Sequence, residues 1–242
     1  MHVTAIVLAA GKGLRFKSKT QKPLARINSK PVIFYCLNVL CRHPLIKNVI
    51  VAVNPKNLQA IKDCIKKYKF SRVKNIILGA KLRQDSVRNA LKAVDSAADL
   101  ILIHDGVRPF ISRDMVASVI GAAGKTGAAI VGVPVKATIK EAQSSKSIVQ
   151  SNFVVKKTLE RNNLWEAQTP QVFRRDLILK AYKKFSKTPV TDDAALVEKL
   201  GHKVRVVFGS YDNIKITTPG DLAIAKAIYG QNRNRLRYSP PY

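Results

Sequence analysis

Ala5-Ile6-Val7-Leu8-Ala9-Ala10-Gly11-Lys12-Gly13-Leu14-Arg15-Phe16-Lys17-Ser18-Lys19-Thr20-Gln21-Lys22 decides how the rest of the chain is read. Its first half is apolar without alternation, the pattern of a parallel strand buried on both faces. Its second half turns at Gly11 and Gly13 and then delivers Lys12, Arg15, Lys17, Lys19 and Lys22. Small residues at Ala9, Ala10, Gly11 and Gly13 let the backbone approach a ligand closely, and the cations that follow suit an anion. The stretch predicts a nucleotide-phosphate site at the end of the first strand, over residues 3–9.

The chain downstream repeats strand and helix. Pro31 opens a helix over 32–41, followed by a strand over 49–53 and a helix over 58–68 with Leu58, Ile61 and Ile65 on one face. A strand over 73–78 ends at Gly79, and a helix over 85–97 buries Val87, Ala90, Leu91 and Val94. A strand over 100–103 runs into His104-Asp105-Gly106-Val107-Arg108-Pro109. Ser112 caps a helix over 115–123, and a strand spans 128–133. This alternation predicts an α/β, doubly wound, mostly parallel sheet, with ligands beyond the carboxyl ends of its strands. The glycine loop, Gly79 and Asp105 all fall at such ends.

Strands over 136–141 and 148–156, joined by Ala142-Gln143-Ser144-Ser145-Lys146, break the pattern as an antiparallel hairpin arm of about 136–160. Such an arm embraces a second subunit or, alternatively, covers its own site. The parallel pattern resumes with a helix over 176–185, Thr191-Asp192-Asp193 as N-cap of a helix over 194–200, strands over 203–207 and 213–217, and a helix over 221–229. Residues 1–230 read as one domain and the basic, Pro-containing residues 231–242 as a frayed tail.

Lys and Arg number 43 against 15 Asp and Glu, a formal charge of +28. That excess suits a polyanion, but the cations are spread along the chain and no zinc-finger spacing or RNP-like aromatic motif accompanies them. They read as the solvated surface of an enzyme, and nucleic acid is not expected as a partner. Cys36, Cys41 and Cys64 have no Cys-x-x-Cys spacing, which predicts packing roles in a reducing cytoplasm. No apolar run approaches the ~20 residues of a membrane span, and no signal peptide is expected.

Phe16 stands where a dinucleotide fingerprint needs its third glycine, and no P-loop is present. Asp105 either caps the following helix or holds Mg²⁺; the neighbouring Arg108 favours the metal, because a phosphate site needs both. His104 reads as a packed ring and Trp165 as core. Thr169 reads as a hydroxyl contact, and Asp212 with Lys215 as a surface ion pair or a site pair.

Several motifs then occur in order: Leu8-Ala9-Ala10-Gly11-x-Gly13-x-Arg15 with Lys22, Arg83-x-x-Ser86-Val87, His104-Asp105-x-x-Arg108-Pro109, Pro134-Val135-x-x-Thr138-Ile139-Lys140, Arg161-Asn162-x-Leu164-Trp165-x-x-Gln168-Thr169-Pro170-Gln171, Thr191-Asp192-Asp193 and Asp212-Asn213-Ile214-Lys215. Together, over residues 3 to about 229, they resemble the 2-C-methyl-D-erythritol 4-phosphate cytidylyltransferase family of the non-mevalonate isoprenoid pathway. The resemblance implies a Rossmann-like fold, a homodimer through the arm, Mg²⁺, and cytidylyl transfer from CTP to 2-C-methyl-D-erythritol 4-phosphate with release of pyrophosphate. It implies catalytic roles for Arg15, Lys22 and Lys215. It implies nucleotide contacts at Ala9, Ala10, Gly11, Gly13, Gly79, Ser86 and Asp105, the last also the metal contact. It places Arg108, Thr138, Thr169, Thr191 and Asp212 around the polyol phosphate, with Arg161 reaching the neighbouring subunit's substrate.

The chain departs from the family pattern at Phe16, at Gln21-Lys22-Pro23 and at Gly79-Ala80-Lys81. A ribitol 5-phosphate cytidylyltransferase is the alternative enzyme; Ala10 and Ile214-Lys215-Ile216 lean towards methylerythritol. A non-catalytic, basic nucleic-acid binder on the same scaffold is the alternative from another class.

Overall fold

The computed structural model describes residues 1–11, 21–144 and 153–238. In chain order the elements are β1 (Val3–Ala9), the two-residue strands β2 (Arg26–Ile27) and β3 (Lys30–Pro31), α1 (Val32–Leu40), β4 (Ile46–Val53), α2 (Leu58–Lys67), β5 (Val73–Leu78), α3 (Arg83–Leu91), β6 (Leu100–Asp105), α4 (Arg113–Thr126) and β7 (Ala128–Pro134). They continue with β8 (Lys140–Ser144), β9 (Phe153–Thr158), β10 (Trp165–Arg174), α5 (Arg175–Lys184), α6 (Ala194–Glu198), β11 (Arg205–Phe208) and α7 (Pro219–Tyr238).

β1 is buried along its whole length because it pairs in parallel with β4 on one side and β6 on the other. Successive side chains on a strand face opposite ways, so β1 feeds two cores. Val3, Ala5, Val7 and Ala9 join Ile33, Leu37 and Leu40 of α1 and Val116 and Ile120 of α4. Ile6 and Leu8 join Val87 and Ala90 of α3, Phe173 of β10 and Ile178 of α5. Helices therefore cover both faces of the sheet, as the apolar run of β1 requires.

The sheet order is β11-β7-β10-β6-β1-β4-β5. β10 lies antiparallel to both β6 and β7, the one reversed strand in an otherwise parallel sheet of the described residues. The sequence reading has no strand here, where the residues around Trp165 are polar and include a proline, a residue otherwise confined to strand edges, strand starts and bulges. The ladder shifts register between Ala167 and Gln171, so Pro170 falls in the irregularity and owes the ladder no donor. Trp165 is half-exposed and packs edge-on against Phe208, ring centroids 4.9 Å apart, rather than lying in the core.

Helix boundaries follow local chemistry. Ser112 Oγ accepts from the Met115 N–H at 3.0 Å and starts α4, and Gly127, at φ +85°, ends it. Thr218 and Asp221 form a reciprocal cap on α7: the Asp221 N–H donates to Thr218 Oγ1 and the Thr218 N–H to Asp221 Oδ2. α3 stops at Leu91 rather than 97, because Asp95 accepts the Ala97 N–H at 2.9 Å and holds a turn.

Three further expectations change. In the arm, residues 136–139 are irregular and Ala142, Gln143 and Ser144 belong to β8, opposite Val155, Val154 and Phe153; the hairpin's connection lies outside the described residues. Residues 213–217 are not a strand. Ile214 and Ile216 alternate like one, but Ile216 packs with Ala25, Ile27, Val32 and Ala225 instead, and its N–H donates to Val107 O at 3.0 Å. The stretch Thr191-Asp192-Asp193 caps α6 as expected, through Asp192, whose Oδ1 accepts from the Ala195 N–H at 3.1 Å. α7 continues through residues 231–238, where a frayed tail was expected. Cys36, Cys41 and Cys64 are buried and free, in packing roles as expected.

Candidate active site

Beyond the carboxyl ends of β1 and β6 lies a cleft of about 180 Å³. Leu8, Ala9, Ala10 and Gly11 line it from the first strand and its exit, Lys22 and Pro23 from a short 3₁₀ turn, Arg83 and Ser86 from α3, Asp105 and Val107 from the end of β6, and Lys215 and Thr217 from the segment before α7. Three of these stretches are tied by amide side chains. Asn57 Nδ2 donates to Ala9 O at 2.9 Å, and Asn54 Nδ2 to Gln21 Oε1 at 2.8 Å. Buried Asn213 donates through Nδ2 to Gln168 Oε1 and Thr169 O, both at 3.0 Å, and so fixes the stretch that carries Lys215.

Asp105 is the electrostatic centre. Its Oδ2 lies 2.7 Å from Lys215 Nζ and 4.0 Å from Arg108 Nε, and its Oδ1 accepts from Arg83 Nε at 3.1 Å. Burial alone would raise its pKa, but Arg83, Lys215 and Arg108 together hold it well below the usual carboxylate range. The carboxylate is therefore charged at every working pH, in a pocket that carries more positive charge than negative.

Behind it, His104 is fully buried. The Arg108 carbonyl, 3.1 Å from Nε2, can only accept, so Nε2 carries the proton and Nδ1 accepts from the Thr169 hydroxyl at 3.1 Å. Thr169 Oγ1 in turn accepts the Asp105 N–H at 3.1 Å. Burial pushes the imidazole down to about 4, which keeps this chain of bonds in one polarity.

The expected site residues divide. Ala9, Ala10, Gly11, Lys22, Ser86, Asp105 and Lys215 meet in the cleft. Gly79 stands behind it, packed so closely on Ala10 and Ser86 that a Cβ would fall 2.3 Å from Ala10 Cβ. Arg108 is buried behind Asp105 with Nη1 donating to Asn213 O at 2.7 Å, and the Thr169 hydroxyl is spent on His104 and Asp105 rather than turned to the cleft. Thr138, Arg161 and Thr191 are exposed and do not line this cleft, and Asp212 borders a separate hollow with Phe110, Ser112 and Phe208. Arg15 and Gly13 lie outside the described residues.

Arg83 belongs to the site although it was read only as part of a motif. Its signal was available: it opens α3, where the helix dipole disfavours a cation, so something else must hold it there.

The profile of the 2-C-methyl-D-erythritol 4-phosphate cytidylyltransferase family matches residues 3–231. The chain belongs to this family. It is 43% identical over 237 residues to the 2-C-methyl-D-erythritol 4-phosphate cytidylyltransferase of Syntrophus aciditrophicus, covering 97% of this chain and 98% of that one. It is 39% identical to the cytidylyltransferase of the same name from Alkaliphilus metalliredigens, with 96% and 95% covered. Among solved structures, 4-diphosphocytidyl-2C-methyl-D-erythritol synthase from Anaerococcus prevotii superposes with a TM-score of 0.80 at 34% identity, covering 95% of this chain and 96% of that chain. The family is one of nucleotidyltransferases, and the chain shares the α/β fold of its solved members.

Proposed function

We propose that the cleft transfers a cytidylyl group from CTP to 2-C-methyl-D-erythritol 4-phosphate, giving 4-diphosphocytidyl-2-C-methyl-D-erythritol and pyrophosphate for isoprenoid synthesis. The observation that carries this reading is Asp105 clasped by Lys215 and Arg83 in a cleft walled by Ala9, Ala10, Gly11 and Lys22. The small residues leave room for a nucleotide, and the surplus of cations matches two phosphorylated substrates.

The polyol phosphate is already a nucleophile. One of its phosphate oxygens forms a bond to the α-phosphorus of CTP as the bond from that phosphorus to the β-phosphate oxygen breaks, and pyrophosphate carries away the electron pair. No covalent intermediate with the chain and no general base are needed. The chain's task is to align two anions that repel and to neutralise charge as it moves to the leaving group. Lys22 and Lys215 supply that charge from different segments of the cleft's lining, with Arg15 as the third cation of the set, and Ala9, Ala10 and Ser86 border the nucleotide.

Among the described residues no three His, Cys, Asp or Glu side chains could cage a metal. Mg²⁺ needs only one or two carboxylates when phosphate oxygens and water complete its shell, and Asp105 has lone pairs beyond those used by Arg83 and Lys215. Asp105 thus fits as the residue that would hold Mg²⁺, which when bound offsets triphosphate charge.

The arm is proposed to join two copies. On β9, Phe153 and Val155 share one face and expose 70% and 57% of their surface, while Val154 on the other exposes 52%, apolar surface that a second subunit would cover. Thr138 and Arg161 do not line their own cleft, which fits residues that serve the partner's. No helix among the described residues is long and apolar enough to cross a membrane, in keeping with a proposed cytoplasmic setting.

Pyrophosphate release from CTP, measured with 2-C-methyl-D-erythritol 4-phosphate and with ribitol 5-phosphate, tests the assignment. Turnover is expected with the first; turnover with the second alone overturns the substrate, and none with either overturns the activity.

A further inference from the structure

A carboxylate is buried behind the cleft where the helix beside it does not need one. Asp193 is 1% exposed at its side chain. Its Oδ1 accepts from the Tyr182 hydroxyl at 2.5 Å, and its Oδ2 lies 2.8 Å from Arg83 Nη2. Its N–H donates to Gln171 Oε1 at 3.2 Å, while the neighbouring Asp192 performs the capping of α6. Arg83 uses its other edge on Asp105, Nε to Oδ1 at 3.1 Å. One guanidinium therefore bridges a buried carboxylate and the carboxylate of the cleft.

Stability does not account for this arrangement. Desolvating both charges of a buried pair offsets most of their attraction, and apolar side chains of similar volume would serve folding as well or better. A fixed direction for the guanidinium is what the pair supplies, because a planar fork held at two points cannot turn. With Asp193 neutralised, Arg83 would keep only Asp105, where Lys215 already sits 2.7 Å from Oδ2. Arg83 could then turn about its single remaining contact at Asp105 Oδ1, and the carboxylate that holds Lys215 through Oδ2 would lose its fixed orientation.

We propose that Asp193, held by Tyr182, is a positioning residue for the transfer reaction, acting through Arg83 to set the places of Asp105 and Lys215. This rests on the cytidylyl-transfer reading of the cleft. It is tested by a double-mutant cycle of Asp193→Asn and Arg83→Lys, with kcat and KM from pyrophosphate release and the unfolding midpoint measured on each variant.

Asp193→Asn is expected to lower kcat on the order of tenfold to a hundredfold, the usual cost of misplacing reacting groups, with KM for CTP little changed. In the Arg83→Lys background the same substitution should cost almost nothing further, since lysine has no fork to direct. Additive losses in kcat overturn the proposal, as does a lowered unfolding midpoint with kcat per folded enzyme unchanged. Should Asp193→Asn fail to fold, Tyr182→Phe takes its place in the cycle: coupling to Arg83→Lys supports the proposal and additivity overturns it. A wild-type chain that releases no pyrophosphate overturns the function reading and this proposal with it, whereas active wild type with additive variants overturns this proposal alone.

Discussion

Gly79→Ala probes how the nucleotide side of the cleft is built. Gly79 follows β5, and its N–H donates to Val53 O at 2.8 Å. An added methyl would lie 2.3 Å from Ala10 Cβ, 2.8 Å from Ser86 Oγ and 3.3 Å from Ser86 Cβ. The first contact is far inside the roughly 3.5 Å at which carbon atoms rest. Ala10 has no rotamer by which to yield, and the Ser86 hydroxyl is engaged, accepting the Ala80 N–H at 2.9 Å. The backbone must move, at about 1–3 kcal/mol for an overpacked site. For a chain of this size that lowers the thermal midpoint by about 2–4 °C per kcal/mol. Ala10 and Ser86 both line the cleft, so KM for CTP should rise with the loss of stability. Ala10→Gly removes the nearest contact, and the pair Gly79→Ala/Ala10→Gly should recover part of both effects, the remainder being set by Ser86. Scanning calorimetry and steady-state kinetics read the two quantities. A Gly79→Ala protein with wild-type midpoint and KM, or a double variant no better than the single one, refutes the reasoning.

Lys22→Ala and Lys215→Ala should each lower turnover on the order of 10²–10³-fold while the chain stays folded, as loss of one charge-stabilising group does; circular dichroism with a pyrophosphate assay checks both, and near-normal turnover in either counts against the mechanism. His104 is held at about 4 against an ordinary 6.5, so between those values the unfolded chain binds the extra proton. Its contribution is complete above pH 6.5 and is lost as pH falls towards 4, about 3 kcal/mol in all; denaturant titrations across that window should show a shallower dependence for His104→Gln. If Arg161 serves the partner's cleft, mixing Arg161→Ala with Lys22→Ala chains restores one competent site per heterodimer, and no recovery after verified subunit exchange argues that it acts within its own chain.

The parallel framework was legible because its strands are apolar on both faces and its helices carry one apolar stripe; β1, β4, β5, β6 and β7 all fall where that pattern puts them. β10 was not, since Pro170 and the polar run around it obey an irregularity in the ladder that only the neighbouring strands define. Residues 213–217 failed in the opposite sense. They alternate like a strand, but a buried asparagine at 213 pulls them out of any sheet and into the site. Alternation reports which side chains are buried, and a loop pinned by its own polar groups can bury every second residue as well as a strand can.

The same limit applies to the site. Charged residues and glycines announced Lys22, Asp105 and Lys215, whereas several of the residues that brace the segments around them are amides. Asn57 bonds the Ala9 carbonyl of the cleft's wall, and Asn54, Gln171 and Asn213 bond the segments next to the walls, all without adding charge. In a pocket that must balance several cations against phosphorylated substrates, a neutral brace leaves the field to Lys22, Arg83, Asp105 and Lys215. Replacing such a brace by an acid or a base would anchor the backbone equally well and alter the charge seen by the reacting phosphates. The amides are therefore matched to a site whose chemistry is the placement of charge, and their numbers and spacing carry no signature, because each is fixed by a partner distant in sequence.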